Sequence, residues 1–312
     1  MSTVKLNVVS VNISEKKGEI KHPVNKISLN SLGIVGDAHA GDWHRQVSLL
    51  GKESFERFSK IAGRMPVWGE FAENITTEGM DVFKTHPGDI FTCGKVILEV
   101  TQIGKKCHGD GCAVYREVGN CVMPKEGIFT RVIQPGTITP GDTMEYFPKI
   151  YKALVITLSD RASNGTYEDL SGPEAVKLLT AYFQNTGLAH EVSYRLIPDN
   201  EQMLLGLLEE AQSDGVNVVI TTGGTGVGVR DITPEVVSSM IDKEIPGIME
   251  MIRLKYGAEK PNALLSRGVA GLMGDTFVFT LPGSVKAVRE YMDEITKTLF
   301  HLFLMRMGID SH

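Results

Sequence analysis

The chain has 312 residues, 42% hydrophobic and 22% charged, which is enough for about two domains with separate cores and unlike the composition of a disordered protein. Its formal net charge of -6 excludes a general nucleic-acid or membrane-surface binder, which would carry a basic stripe, so an anionic ligand has to be held locally. The start, MSTVKLNVVSVNIS, has Lys5 and Asn7 among its apolar residues and does not read as a signal peptide. TLFHLFLMRMG near the end is too short and interrupted to cross a bilayer, so a cytoplasmic protein is expected.

Residues 1–148 read as short strands and turns. VKLNVVSVNI and KVILEVTQI are rich in β-branched residues, and Pro-Gly-Asp recurs at 87–89 and 140–142, each time before a strand-like run. One helix-like segment, SLLGKESFERFSKIAG, interrupts them. The expected fold is a closed or partly closed β-barrel. From 149 to 312 the rhythm changes. ALVITLSD, HEVSYRLIPD, VNVVITTGG and DTFVFTLPG read as strands and alternate with long helical patterns, which predicts a three-layer α/β/α domain with a mostly parallel sheet. Ligands of such sheets sit beyond the C-terminal strand ends, which selects the loops 159–171, 198–200, 221–235 and 281–284.

The loop TTGGTGVGVRDITPE follows a buried strand and leads into a helix, with Thr233 expected as N-cap and Pro234 as first helical residue. Its glycines let main-chain amides approach a phosphate, and the helix N-terminus adds partial positive charge. It is neither a Walker A loop, lacking Gly-Lys-Ser/Thr, nor G-x-G-x-x-G. A flexible glycine turn is the plain alternative, but Asp231 beside a phosphate would repel it unless a divalent cation lay between, so Asp231 reads as a Mg²⁺ ligand. Asp199 of IPDN, at a neighbouring strand end, either shares that ion or merely caps a helix. In LPGSVKAVRE, Pro282 and Gly283 end a strand, Ser284 caps a helix and Lys286 offers a charge; an ordinary turn is the alternative. Ser171 and Glu174 have the spacing of a capping box, which leaves Asp160, Arg161 and Asp169 lining the same edge. Arg161 suits either a phosphate or a surface salt bridge.

The four cysteines, Cys93, Cys107, Cys112 and Cys121, all lie in the first half, where a cytosolic setting favours thiol or metal chemistry over disulfides. Cys107, flanked by Lys105, Lys106 and His108, suits a thiolate. Zinc held by Cys107, His108, Cys112 and Cys121 is a weaker reading, because paired C-x-x-C knuckles are missing. His39, His44 and Arg45 either hold an anionic pterin phosphate or simply decorate a turn.

In this order and spacing, VITLSDRASNGTYEDLSGP, IPDN, TTGGTGVGVRDITPE and LPGSVKAV resemble the molybdopterin adenylyltransferase family, across residues 151–312. The resemblance implies Mg²⁺-dependent transfer of AMP from ATP to the terminal phosphate of molybdopterin, with release of pyrophosphate, on an α/β domain that commonly trimerises. It implies Asp199 and Asp231 as the metal-linked acids and Gly223, Gly224, Thr225 and Gly226 around the nucleotide phosphates. Pro282, Gly283 and Ser284 would hold substrate or nucleotide, with Ser159, Asp160 and Asp169 beside them. A related branch keeps the fold without catalysis, so a cofactor carrier without turnover is the alternative.

GIVGDAHAGDWHRQVSLL, GEFAENITTEG, PGDIFTCGKVILEVTQIGKKC and GIFTRVIQPGTITPGD resemble the MOSC domain, the β-barrel module of molybdenum cofactor sulfurases, over about residues 5–147. This implies binding of the molybdenum cofactor or its sulfur, with Cys107 at the position of the sulfur-handling cysteine. It makes other cofactor-synthesis proteins or molybdoenzymes candidate partners. A generic sulfurtransferase acting through Cys107 is a further reading.

Overall fold

The computed structural model describes residues 4–106 and 121–309. Residues 1–149 with 307–312 make one unit and residues 150–306 another.

The first unit contains β1 (Val4–Ile13), β2 (His22–Val24), β3 (Ile27–Asn30), β4 (Gly33–Ile34), β5 (Val47–Gly51), β6 (Ile75–Glu78), β7 (Ile90–Cys93), β8 (Val96–Ile103), β9 (Ile128–Gln134), β10 (Gly136–Ile138) and β11 (Thr143–Phe147). Seven strands follow the order β11–β7–β8–β9–β5–β6–β1, and pairing of β1 with β11, Leu6 opposite Met144, closes the circuit. A closed barrel leaves few exposed sheet edges, and its inward residues, among them Leu6, Val8, Leu49, Ile75, Phe91 and Leu98, form the core. Both Pro-Gly-Asp turns have one chemistry: Asp89 accepts the His86 N–H at 2.7 Å and Asp142 accepts the Thr139 N–H at 2.8 Å. Helix α1 (Lys52–Ala62) buries Phe55 and Phe58 against Phe71 and ends at Gly63, which has φ 69° and is left-handed. A short α2 (Met123–Glu126) precedes β9.

In the second unit, β12 (Tyr151–Leu158), β13 (His190–Ile197), β14 (Val218–Thr222), β15 (Lys243–Glu244), β16 (Ala270–Met273) and β17 (Thr276–Leu281) form one sheet in the order β13–β12–β14–β17–β16–β15. The first four strands are parallel; β16 is antiparallel to β17, and β15 is antiparallel to β16. The helices are α3 (Asp160–Ser163), α4 (Ser171–Thr186), α5 (Glu201–Ser213), α6 (Thr233–Met240), α7 (Pro246–Glu259) and α8 (Val285–Arg306). Alternation along the strands assigns the faces. Leu154, Ile156, Val219 and Val278 pack with Leu204 and Leu208 of α5 and Val237 of α6. On the other face Tyr151 stacks against Phe183 of α4 and Phe303 of α8. β14 and β17 are buried along their whole length, as expected of central parallel strands covered on both sides. Among the described residues, no helix is long and apolar enough to cross a membrane.

Two helix starts differ from expectation. Leu170, not Ser171, precedes α4, and Asp169 accepts the Ser171 N–H at 2.9 Å, while Glu174 pairs with Arg289 at 2.6 Å instead of closing a capping box. Ile232 precedes α6, and the Thr233 hydroxyl donates to the Gly223 carbonyl at 2.9 Å. A hydroxyl at a helix start serves whichever acceptor tertiary structure brings near, here the glycine loop.

Candidate active site

The parallel register sets the strand ends level. Leu158 lies opposite Ile197, Thr157 opposite Thr222, and Thr222 opposite Leu281, so the loops beginning at Pro198, Ser159, Gly223 and Pro282 leave one edge side by side. The last three loops line a cavity of about 630 Å³ that also receives residues 260–266 and the start of α8. Of the sequence-nominated residues, Ser159, Arg161, Asp169, Gly223, Gly224, Thr225, Gly226, Asp231, Pro282, Gly283, Ser284 and Lys286 line it; Asp160 and Asp199 do not, although Asp199 Oδ1 lies 3.6 Å from where a Cβ on Gly224 would sit.

Close backbone packing explains two of the glycines. Gly223 has φ +96°, and a Cβ there would fall 2.3 Å from the Leu158 carbonyl oxygen. A Cβ on Gly283 would meet the Gly223 Cα at 3.3 Å, so the two loops touch backbone to backbone. The glycine loop is braced from outside by Arg267, whose Nε donates to the Gly226 carbonyl at 2.6 Å and whose Nη2 donates to the Asp231 carbonyl at 2.8 Å. Nothing local in SRG marks Arg267 for that task. Ser284 accepts the Ala287 N–H at 3.2 Å and so caps α8.

The acids are unequal. Asn200 caps α5 by accepting the Met203 N–H at 2.9 Å, which leaves the Asp199 side chain out of the cap. Asp199 instead accepts the Asp160 N–H at 3.1 Å. Burial raises its pKa, as do the Asp160 and Asp231 charges, against that hydrogen bond and the charge of Arg230. Asp160 is held by Arg230 through contacts of 2.8–3.0 Å. Asp231 Oδ2 accepts the Gly228 N–H at 2.7 Å.

Asp169 has a different environment from its neighbours. Oδ2 accepts from Thr157 Oγ1 at 2.7 Å, Tyr194 Oη at 2.5 Å and the Gly172 N–H at 3.1 Å, while Oδ1 accepts from the Ser171 N–H and Oγ at 2.9 and 2.8 Å. Burial opposes its charge, but the bonds from Tyr194, Thr157, Ser171 and Gly172 outweigh it and hold the carboxyl below its usual range. It organises the cavity floor, where Thr222 Oγ1 bridges Thr157 at 3.2 Å and Ser171 at 3.0 Å. Tyr194 and Thr157 carry no sequence signal for this; only strand pairing brings them together.

Cations face this floor. Arg161 lies 5.8 Å from the Tyr167 ring centroid, and Lys260 and Lys286 reach the cavity from α7's end and α8. Interaction with the Lys286 side chain holds Lys260 below the usual lysine range, while Lys286 pairs with Glu290 at 3.5 Å. Lys260 is a residue that sequence reasoning missed, because nothing in AEKPN places it opposite Lys286.

The barrel unit has its own cavity, of about 560 Å³, lined by Lys17, His39, Trp43, Arg45, Lys105 and Phe129 among others. Arg45 lies 4.8 Å from the Trp43 ring centroid and 5.9 Å from that of Phe129. Cys107, His108 and Cys112 lie outside the described residues; Cys121 is partly buried and Cys93 buried.

Sequence comparison agrees with both halves. Residues 154–301 match the model of a probable molybdopterin binding domain, and residues 36–145 match that of the MOSC domain. The molybdopterin adenylyltransferase of Pyrococcus furiosus is 39% identical over 160 residues, covering 50% of this chain and 90% of that protein. That of Helicobacter pylori J99 is 38% identical over 145 residues, covering 45% and 79%. The molybdenum cofactor biosynthesis bifunctional protein of Chlorobaculum tepidum is 31% identical over 169 residues, covering 54% and 51%. By its identity over most of the length of the first two, the chain belongs to the molybdopterin adenylyltransferase family, with a MOSC domain in its N-terminal half.

Proposed function

We propose that the second unit transfers AMP from ATP to the terminal phosphate of molybdopterin, as part of molybdenum cofactor biosynthesis. An oxygen of the pterin phosphate attacks the α-phosphorus of ATP, a phosphoric anhydride forms, and the bond to the leaving pyrophosphate breaks. The observation that carries this reading is the convergence, on one cavity at the level strand ends, of a backbone-lined glycine loop, the cations Arg161, Lys260 and Lys286, and the carboxylates Asp169, Asp231 and Glu290. Phosphoryl-group transfer needs positioning and charge neutralisation more than covalent help. Gly223, Gly224, Thr225 and Gly226 would hold nucleotide phosphates, with Arg161, Lys260 and Lys286 balancing their charge. Pro282, Gly283 and Ser284 would hold the opposite side of the substrates, Ser159 would contact them at the α3 end, and Asp160 and Asp169 would position the walls.

Mg²⁺ fits the donor set. Magnesium needs only one or two carboxylates when phosphates and water complete its shell. Asp199 and Asp231 each have an Oδ1 that takes no hydrogen bond among the described residues, and their mutual repulsion is what a cation relieves. The ion would neutralise phosphate charge; Asp199 and Asp231 would hold it. The barrel would bind the molybdenum cofactor or its sulfur, with Cys107 as the carrying thiol, and fusion would raise one unit's product concentration near the other. Exposed Met251 and Leu254 support self-association of the second unit, for which the family resemblance suggests a trimer, with other cofactor-synthesis proteins or molybdoenzymes as further partners.

The test compares wild type with Asp231→Asn and Asp199→Asn in ATP-dependent turnover of molybdopterin across a Mg²⁺ series. Each variant is expected to lose about 10²–10³ in kcat and to need more Mg²⁺. Unchanged turnover in both would refute the site assignment, and a wild type that only binds molybdopterin would support a carrier.

A further inference from the structure

Under the barrel cavity lies a buried ion pair that the proposed chemistry does not use. Lys21 and Asp37 are 1% and 0% exposed, with Lys21 Nζ 2.5 Å from Asp37 Oδ2. Asp37 Oδ2 also accepts from the Asn74 amide at 3.1 Å and the Ser14 N–H at 3.2 Å, and Oδ1 accepts the His39 N–H at 2.9 Å. His39 joins this network to the cavity, because its ring lines the cavity while its Nδ1 lies 3.4 Å from Lys21 Nζ.

That nitrogen has two neighbours, and their needs decide its state. Its 3.5 Å contact with Asp37 Oδ1 falls outside hydrogen-bond geometry, whereas its 3.4 Å contact with Lys21 Nζ meets it. Lys21 has three N–H donors in a site closed to water. Asp37 takes one; His39 Nδ1 is the other side-chain acceptor within reach among the described residues. An N–H on Nδ1 would point a donor at a donor and leave a buried Lys21 N–H unpaired, the more costly arrangement. Nδ1 therefore accepts from Lys21, and the imidazole proton sits on Nε2. Around it the cavity presents Lys17, Arg45 and Lys105 and, among the described lining residues, no acid. Arg45 Nε is buried without a hydrogen-bond partner among the described residues. The charged groups facing the network from below are Asp37 and Glu73, with Lys105 adding to Lys21 from the cavity side.

We propose that Lys21 is a positioning residue that holds His39 as its Nε2-protonated tautomer, so that His39 and Arg45 together donate to an oxyanion, such as a phosphate, carried by the ligand of the barrel. The inference rests on the reading of the barrel cavity as a cofactor site, and adds the buried residue that orients His39 and the tautomer in which His39 meets the ligand.

The experiment uses the full chain, with ring ¹⁵N shifts of His39 recorded at neutral pH and inorganic phosphate as probe. Phosphate binding is followed on the His39 ring and the Trp43 indole, which separates it from phosphate in the second unit. Nδ1 is expected to be unprotonated and Nε2 protonated, and Lys21→Met to mix the tautomers and weaken phosphate about three- to tenfold. Should Lys21→Met fail to fold, His39→Gln and His39→Leu replace it. Glutamine keeps an acceptor for Lys21 and a donor for the anion, so it should bind phosphate within about threefold of wild type, while leucine should lose about tenfold. A proton on Nδ1, or equal binding by glutamine and leucine variants, overturns the role of Lys21 and His39. Phosphate that moves neither reporter in wild type overturns the cavity reading itself, whatever the tautomer.

Discussion

Asp169→Asn tests whether this acid is a structural keystone of the site or a ligand contact. In wild type its two oxygens receive the Ser171 N–H and Oγ on one side and Thr157, Tyr194 and the Gly172 N–H on the other. The asparagine carbonyl can keep the Ser171 pair. Its amide then faces Thr157 and Tyr194, whose hydroxyls can turn and accept, and the Gly172 N–H, which cannot. Gly172 is left with its longer contact of 3.3 Å to the other oxygen. One weakened buried N–H and the loss of charge assistance together cost about 2–3 kcal/mol. The sign with pH follows: the folded carboxyl lies below the unfolded value of 3.8, so its stabilisation is present above that value and disappears as pH falls through the folded one. Urea denaturation of the full chain, with the transition of the second unit followed at pH 7 and at pH 3, measures both. A loss below about 0.5 kcal/mol at pH 7, with substrate binding abolished, would refute the structural role and make Asp169 a ligand contact.

Gly223→Ala should cost about 2–4 kcal/mol, because the methyl meets the Leu158 carbonyl oxygen at a left-handed φ; a fully stable, active variant would contradict the loop geometry. Removing both cations with Lys260→Met and Lys286→Met should raise KM for the phosphate-bearing substrate more than it lowers kcat, and a kcat effect alone would place them differently. In the barrel, burial raises the Glu73 carboxyl from 4.5 to about 7, so ionisation opposes folding increasingly from about pH 4.5 to 7 and then evenly above. Glu73→Gln removes that penalty and should gain up to about 3 kcal/mol relative to wild type at pH 8 compared with pH 4.5; a difference flat across that range would show that Glu73 does not titrate as described.

Much of this architecture is legible in order along the chain. Alternating strand and helix rhythm marks the second unit, and the β-branched runs with Pro-Gly-Asp turns mark the barrel, because both signals depend on short sequence periods. Strands β15 and β16 escape that reading: at two and four residues they are too short to show a period, and β16 runs antiparallel where the alternation suggests a parallel sheet. In the site, the glycine loop, Asp231 and Asp199 are visible because phosphate and metal chemistry leave a local pattern. Lys21 reads as an ordinary surface lysine in EIKHPVNK, and its burial is set by Asp37 from sixteen residues away. Asp169, Tyr194 and Thr157 meet only through strand pairing. Arg267 and Lys260 likewise act across distances no local motif records.

The most direct test of the central claim is to incubate the full-length protein with Mg²⁺, molybdopterin and ATP labelled at its α-phosphate, and to identify the products by mass. The account predicts a pterin that has gained labelled AMP, with pyrophosphate released in equal amount and neither product formed when molybdopterin is omitted. A protein that retains molybdopterin while the label stays in ATP would contradict it.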